Sequence, residues 1–140
     1  MATRDRRRYS QGRIDTIATT GNSDDYVIAP VNGILTEAVL SSIDALAQHG
    51  SNYLTFSITN LGQAGSGTNP LLAAVDGNTT KTTTGAAIAA HTKRSLTLNG
   101  TRSNRLVQAG DRLRIRAAAT GTLAGTVTGA RFLLTFEKEV

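Results

Sequence analysis

The stretch NYLTFSITN, residues 52–60, most constrains what this chain can become: Leu54, Phe56 and Ile58 fall on one side of an extended backbone, and Tyr53, Thr55, Ser57 and Thr59 on the other. A period of two belongs to a half-buried β-strand and to no helix. DRLRIRA repeats it more sharply, with Leu113, Ile115 and Ala117 facing inward and Arg112, Arg114 and Arg116 outward, after the turn pair Gly110-Asp111. RSLTLNG places Leu96 and Leu98 in the same way, and ARFLLTFEK does so with Phe132, Leu134 and Phe136. Upstream, DTIAT and DYVIAP read as short strands, the second stopped by Pro30, which has no amide hydrogen for a ladder. GILTEAVLSSI reads as a longer strand after the Asn32-Gly33 turn.

Helical signals are few. In SSIDALAQHG, Ile43, Leu46 and Ala47 stand at helical spacing, with Ser42 as a cap and Gly50 as a stop, so a short helix competes there with loop. NPLLAAVDG, with Pro70 near its start and Gly77 after its end, suits another helical turn, whereas GAAIAAHT reads as strand or loop. Threonine and glycine crowd the connections, as in NTTKTTTG and GTLAGTVTG, favouring extended backbone and tight turns. Strands separated by such loops, with no βαβ alternation, predict an all-β antiparallel sandwich or barrel with one or two short helical turns. The chain has 140 residues, enough for one core, and shows no internal repeat or linker. Without cysteine it has no disulfide or thiolate site. No apolar run approaches the roughly 18 to 20 residues that span a bilayer, and no apolar segment follows the N-terminal arginines as in a signal peptide, so a protein without membrane or export segments is expected.

Charge is concentrated at one end. MATRDRRRYSQGR carries five of the 15 basic and one of the 10 acidic side chains, leaving ten against nine in the remainder. The composition changes near Ile14, which predicts a basic arm over residues 1–13 and a single β domain over 14–140. Arg6, Arg7 and Arg8 repel one another and have no apolar neighbours, so the segment is expected to be mobile on its own. Arg4, Arg6, Arg7, Arg8 and Arg13 supply guanidinium forks for carboxylates or phosphates, and Tyr9 an aromatic anchor. Arg112, Arg114 and Arg116 read either as a solvated strand face or as an inter-chain contact face.

Enzymatic constellations are sparse. His49 and His91, the two histidines, stand in no metal or triad pattern. Asp24-Asp25 and Asp44 lack EF-hand spacing and read as turn and cap residues. GQAGSGTN has neither the lysine and hydroxyl of a phosphate loop nor the βαβ unit of a dinucleotide site. No catalytic residue, cofactor or metal ligand is predicted.

The succession VNGILTEAVLSSIDALAQHGSNYLTFSITNLGQAGSGTNPLLA, then KRSLTLNGTRSNRLVQAGDRLRIRAAATGTLAGTVTGARFLLTFE, resembles the small jelly-roll capsid decoration and head-associated proteins of tailed bacteriophages. The resemblance runs over about residues 27–137 and rests on an AGD-L-I strand, a Gly/Thr-rich turn and a closing apolar strand. It implies a jelly-roll sandwich, assembly as a homotrimer, and a place on the outer capsid surface, bound to the major capsid protein. It also admits a head-fibre base or a tail component. The basic arm matches no motif of that family; from its position and charge it is expected to order across acidic capsid side chains. A nucleic-acid-binding module using the arm is the alternative from another class, disfavoured by a nearly neutral body whose few aromatics mostly fall on apolar strand positions. A glycan-binding jelly roll calls for exposed aromatics or a calcium site, and neither stands out in the sequence.

Overall fold

The computed structural model describes residues 6–139. Four long strands open the chain: β1 (Arg7–Ile17), β2 (Gly21–Ile28), β3 (Gly33–Ser41) and β4 (Tyr53–Gly62). Three short ones follow, β5 (Asn69–Pro70), β6 (Arg94–Ser95) and β7 (Leu106–Val107), with the single-turn helix α1 (Arg102–Arg105) before β7. Two long strands, β8 (Arg112–Thr120) and β9 (Val127–Lys138), close the domain. One sheet has the order β1-β9-β3, with β6 and β7 pairing at opposite ends of the far edge of β3; the other has the order β2-β8-β4-β5. Every pairing among these strands is antiparallel. Because β1 through β4 alternate between the sheets and β8 and β9 return to the centre of each, the two sheets form the interlocked Greek keys of a jelly roll.

The alternation read from the sequence sets the inner faces. Leu54, Phe56 and Ile58 of β4, Leu113, Ile115 and Ala117 of β8, and Phe132, Leu134 and Phe136 of β9 are all buried. Leu35 and Leu40 of β3 and Ile14 and Ile17 of β1 complete the layer between the sheets. Phe56 and Phe132 meet across it edge to face, with ring centroids 6.3 Å apart. Each such large side chain contributes roughly 1.5–3 kcal/mol on burial, so the long strands carry most of the hydrophobic stabilisation.

The predicted arm differs from what forms. β1 begins at Arg7, and its backbone pairs with β9 from Arg7 opposite Glu137 to Ile17 opposite Val127. The boundary expected near Ile14 therefore lies inside a strand. Repulsion between arginine side chains does not prevent pairing, because the ladder uses backbone groups and the side chains alternate outward. Gly12 shows how tightly the strand is seated: a Cβ there would stand 2.3 Å from Ile115 Cδ1 on the opposite sheet. Arg4 lies outside the described residues.

Helix is scarcer than the spacing suggested. At 42–50 the backbone of Leu46 bonds Ile88 in both directions, at 3.0 and 2.9 Å, so Leu46 is buried through a strand-like bridge and not through a helical stripe. Ser42 Oγ turns to Asp44 O at 2.8 Å instead of capping a helix. Asn69–Pro70 is β5, and the helical character of NPLLAAVDG shrinks to a single 3-10 turn at Asp76–Asn78. RSLTLNG keeps only two residues in a strand, although Leu96 is buried and Leu98 packs against the core. α1 was not foreseen, since RSNR has no apolar periodicity to reveal it.

Candidate binding surfaces

Two surfaces gather the cations that the sequence singles out. The first is the rim formed by β1 and β9. Arg6, Arg7, Arg8, Tyr9 and Arg13 are all exposed, Tyr9 at 52%. Arg13 stands directly opposite Arg131 of β9, which is also exposed, and Arg7 directly opposite Glu137. Like charges facing each other across strands destabilise a sheet; Asp15, two residues along the same strand, pairs with Arg13 and offsets part of that repulsion. The far edge of β1 does not hang open. Ser10 Oγ donates to Ile28 O at 3.0 Å, and Asp25 Oδ2 accepts from Arg13 N at 2.7 Å, so side chains close β1 onto β2.

The second surface is the outer face of the sheet β2-β8-β4-β5. Register places Ile28 beside Arg112, Tyr26 beside Arg114 and Asp24 beside Arg116 on one flank of β8. On the other flank Thr59, Ser57, Thr55 and Tyr53 stand beside Arg114, Arg116, Ala118 and Thr120. The three arginines behave differently. Arg116 forms a two-pronged pair with Asp24, Nε to Oδ1 at 2.8 Å and Nη2 to Oδ2 at 2.9 Å. That hydrogen bonding, helped by the charges of Arg116 and Arg114, holds the Asp24 carboxyl below its ordinary range against the opposing effect of burial. The same bond pushes the Arg116 guanidinium up. Arg112 lies over the Tyr26 ring, 4.4 Å from its centre. Arg114 is half-buried, and its Nε is buried without a hydrogen-bond partner.

Arg112, Arg114 and Arg116 thus share a face, as expected, but the two cationic features occupy different faces of the sandwich, joined at the β1–β2 edge. Beyond Tyr9, which the sequence singled out, and Tyr53, which it placed on an outer face, the aromatic complement of the second surface is Tyr26. The phenylalanines fill the core, whereas Tyr9 and Tyr26 are exposed, at 52% and 44%, and Tyr53 is half-buried with Lys81 Nζ 5.6 Å from its ring centre. The expectation that aromatics fall mostly on apolar positions holds for phenylalanine and fails for tyrosine. A legible signal was present in DDYVI, where the period of two places Tyr26 with Asp24 and Ile28 on the face opposite Val27.

The remaining candidates are structural. His49 Nδ1 accepts amide bonds from Ser51 at 3.1 Å and Asn52 at 2.9 Å, fixing a turn. Asp44 holds Thr128 through its amide and hydroxyl. Asp111, buried, accepts from Asn60 Nδ2 at 2.9 Å and Gln108 N at 2.8 Å, tying β4 to the turn before β8. Among the described residues no three His, Cys, Asp or Glu side chains gather as a metal site. The GQAGSGTN loop folds back through Gly67 N to Leu61 O at 2.8 Å and borders an open recess of about 230 Å³ lined by Asn60, Gly62, Gly67, Thr68 and Asn69, which carry no charge.

No protein-family model and no curated protein matches the chain. Among solved structures it is similar to a chain of the cyanophage Pam1 capsid asymmetric unit, at 20% identity and a TM-score of 0.46, covering 95% of this chain and 85% of that one. It is also similar to a xylan-binding module, CBM15, at 17% identity and a TM-score of 0.51, covering 89% and 78%. A chain of the infectious bursal disease virus Gx strain matches at 16% identity and a TM-score of 0.35, covering 95% and 30%. At these identities the likeness to the xylan-binding module is one of fold, in keeping with the β-sandwich described above.

Proposed function

We propose that this chain is a non-enzymatic structural protein of a phage virion: a decoration, or cement, protein that binds the outer head surface as a homotrimer and stabilises the shell. The observation that carries the reading is the rim, where a terminus rich in arginine is built into an edge strand and still presents Arg6, Arg7, Arg8, Tyr9 and Arg13 to solvent beside Arg131. Such a pre-ordered row of guanidinium forks suits a broad acidic protein surface, and it loses less entropy on binding than a mobile arm. The major capsid protein is its partner in this account, and three rims per trimer raise the effective concentration of each contact once the first is made. The jelly-roll fold and the sequence resemblance over about residues 27–137 support the same reading.

A ligand that binds only the assembled shell stabilises that state by linkage. Adding the purified protein to mature heads that lack it is therefore expected to raise the temperature at which they release DNA. Light scattering of the free protein is expected to give three times the 14.7 kDa chain mass. Heads that saturate with the protein and open at an unchanged temperature would contradict the cement role; a monomer at micromolar concentration would contradict the trimer.

A further inference from the structure

The outer face of the β2-β8-β4-β5 sheet combines three features that the capsid anchor does not use. First, Arg112, Arg114 and Lys81 have no carboxylate partner among the described residues, while the one acidic side chain beside them, Asp24, is engaged by Arg116. Arg114 is half-buried, and its Nε, buried, meets no acceptor, so that N–H gives up water without a protein hydrogen bond in return. Second, tyrosines stand toward both ends of the face. Tyr26 lies level with Arg114, and Tyr53 level with Thr120, about 20 Å further along β8. Third, the floor between them carries the closed Arg116–Asp24 pair with Ser57 beside it, and then the short side chains Ala118 and Thr55 in register with each other.

We propose that this face binds a carboxylate-bearing polysaccharide, laid along β8 from Arg112, past Tyr26 and Arg114, to Tyr53. Arg114 and Arg112 fork its carboxylates, Ser57 and Thr55 exchange hydrogen bonds with ring hydroxyls, and Tyr26 and Tyr53 offer apolar ring surface to the sugars' C–H faces. An acidic peptide fits less well. β8 is an inner strand with both edges paired, so a peptide cannot add to it as a strand. Nucleic acid fits less well too, because stacking of successive bases needs closely spaced rings, and these two stand six residues of β8 apart. The assignment goes beyond capsid attachment and does not depend on it.

The test is affinity electrophoresis of the full-length protein in gels carrying polygalacturonate, the same polymer fully methyl-esterified, or oligothymidylate. Retardation by polygalacturonate is expected, with about tenfold weaker binding to the esterified polymer and about tenfold weaker binding by Arg114→Gln and Arg112→Gln, the loss of one charge-assisted fork in each case. Arg112 is exposed and gives up only its contact with the Tyr26 ring, so that variant reports binding with a folding penalty well under that of a buried residue. Equal retardation by the neutral polymer, or no effect of either substitution, would overturn the proposal. Stronger retention by oligothymidylate, lost in the same variants, would reassign the face to nucleic acid.

Discussion

Asp24 and Arg116 face each other across β2 and β8, 92 residues apart in sequence, and their pairing makes a pH-dependent contribution to stability. The Asp24 carboxyl is depressed in the folded protein, first by its hydrogen bonds from Arg116. An unfolded aspartate titrates at about 3.9. A depressed folded value means that the contribution is fully present above that pH and is lost as pH falls through the folded pKa. Asp24→Asn is therefore expected to lower stability by about 1 kcal/mol at pH 7, a modest figure because the pair is only partly buried. In denaturant titrations at successive pH values the gap between wild type and variant should persist down to about pH 4 and close below it. A gap that stays constant to pH 2 would contradict the assignment. The outward direction of Arg116 was legible, because period two is a local property of a strand. Its partner was not: which residue of β2 stands beside it depends on a register fixed by two distant segments. The burial of Arg114 Nε without an acceptor was hidden for the same reason.

Between elements, legibility follows regularity. Of the six long strands, β3, β4, β8 and β9 were visible because each repeats its apolar residues over several positions, and β2 was visible in part through DYVIAP, whereas the first half of β1, RRYSQGR, has no such repeat and read as an arm. Residues 71–93 were not, because polar side chains and backbone bonds hold them in place of a ladder. Asn78 is buried and donates through Nδ2 to Ala73 O and Thr97 O, both at 2.8 Å, while its Oδ1 accepts from Thr97 N at 2.7 Å. Arg94 donates to Ala86 O, Gly77 O and Thr79 O and lies over the Phe56 ring at 5.4 Å. Burial lowers the pKa of its guanidinium, although hydrogen bonding to three carbonyls keeps it useful as a charged hub. No periodicity announces such a network. Asn78→Ala takes their partner from the Ala73 carbonyl and the Thr97 amide, while Thr97 O keeps its bond from Ala73 N, so it is expected to cost about 2 kcal/mol. Hydrogen exchange should then quicken across 71–80 more than in β8 and β9, whose ladders it does not touch. Uniform protection throughout would show that the segment is held by something other than this side chain.

For the whole molecule, the sandwich was legible from the strand pattern, and the state of its N-terminal segment was misjudged in an instructive way. Charge density argued for a mobile arm. The structure places Arg7–Ile17 against β9, where the backbone ladder and the alternation of Ser10, Gly12 and Ile14 toward the interior outweigh repulsion among side chains that point to solvent. An anchor of this kind cannot be tested by truncation, since removing residues 2–13 would also remove most of an edge strand. Substitution of exposed side chains leaves the strand in place. The most direct measurement is co-sedimentation of the full-length protein with undecorated mature phage heads, comparing wild type with Arg6→Gln, Arg8→Gln and Arg13→Gln combined, at low and moderate salt. The account predicts that wild type saturates at a fixed copy number per head, and that the combined variant, folded by circular dichroism, binds at least about tenfold more weakly, with wild-type binding itself weakened by salt. Heads that take up the variant as fully as wild type, or that take up neither, would contradict it.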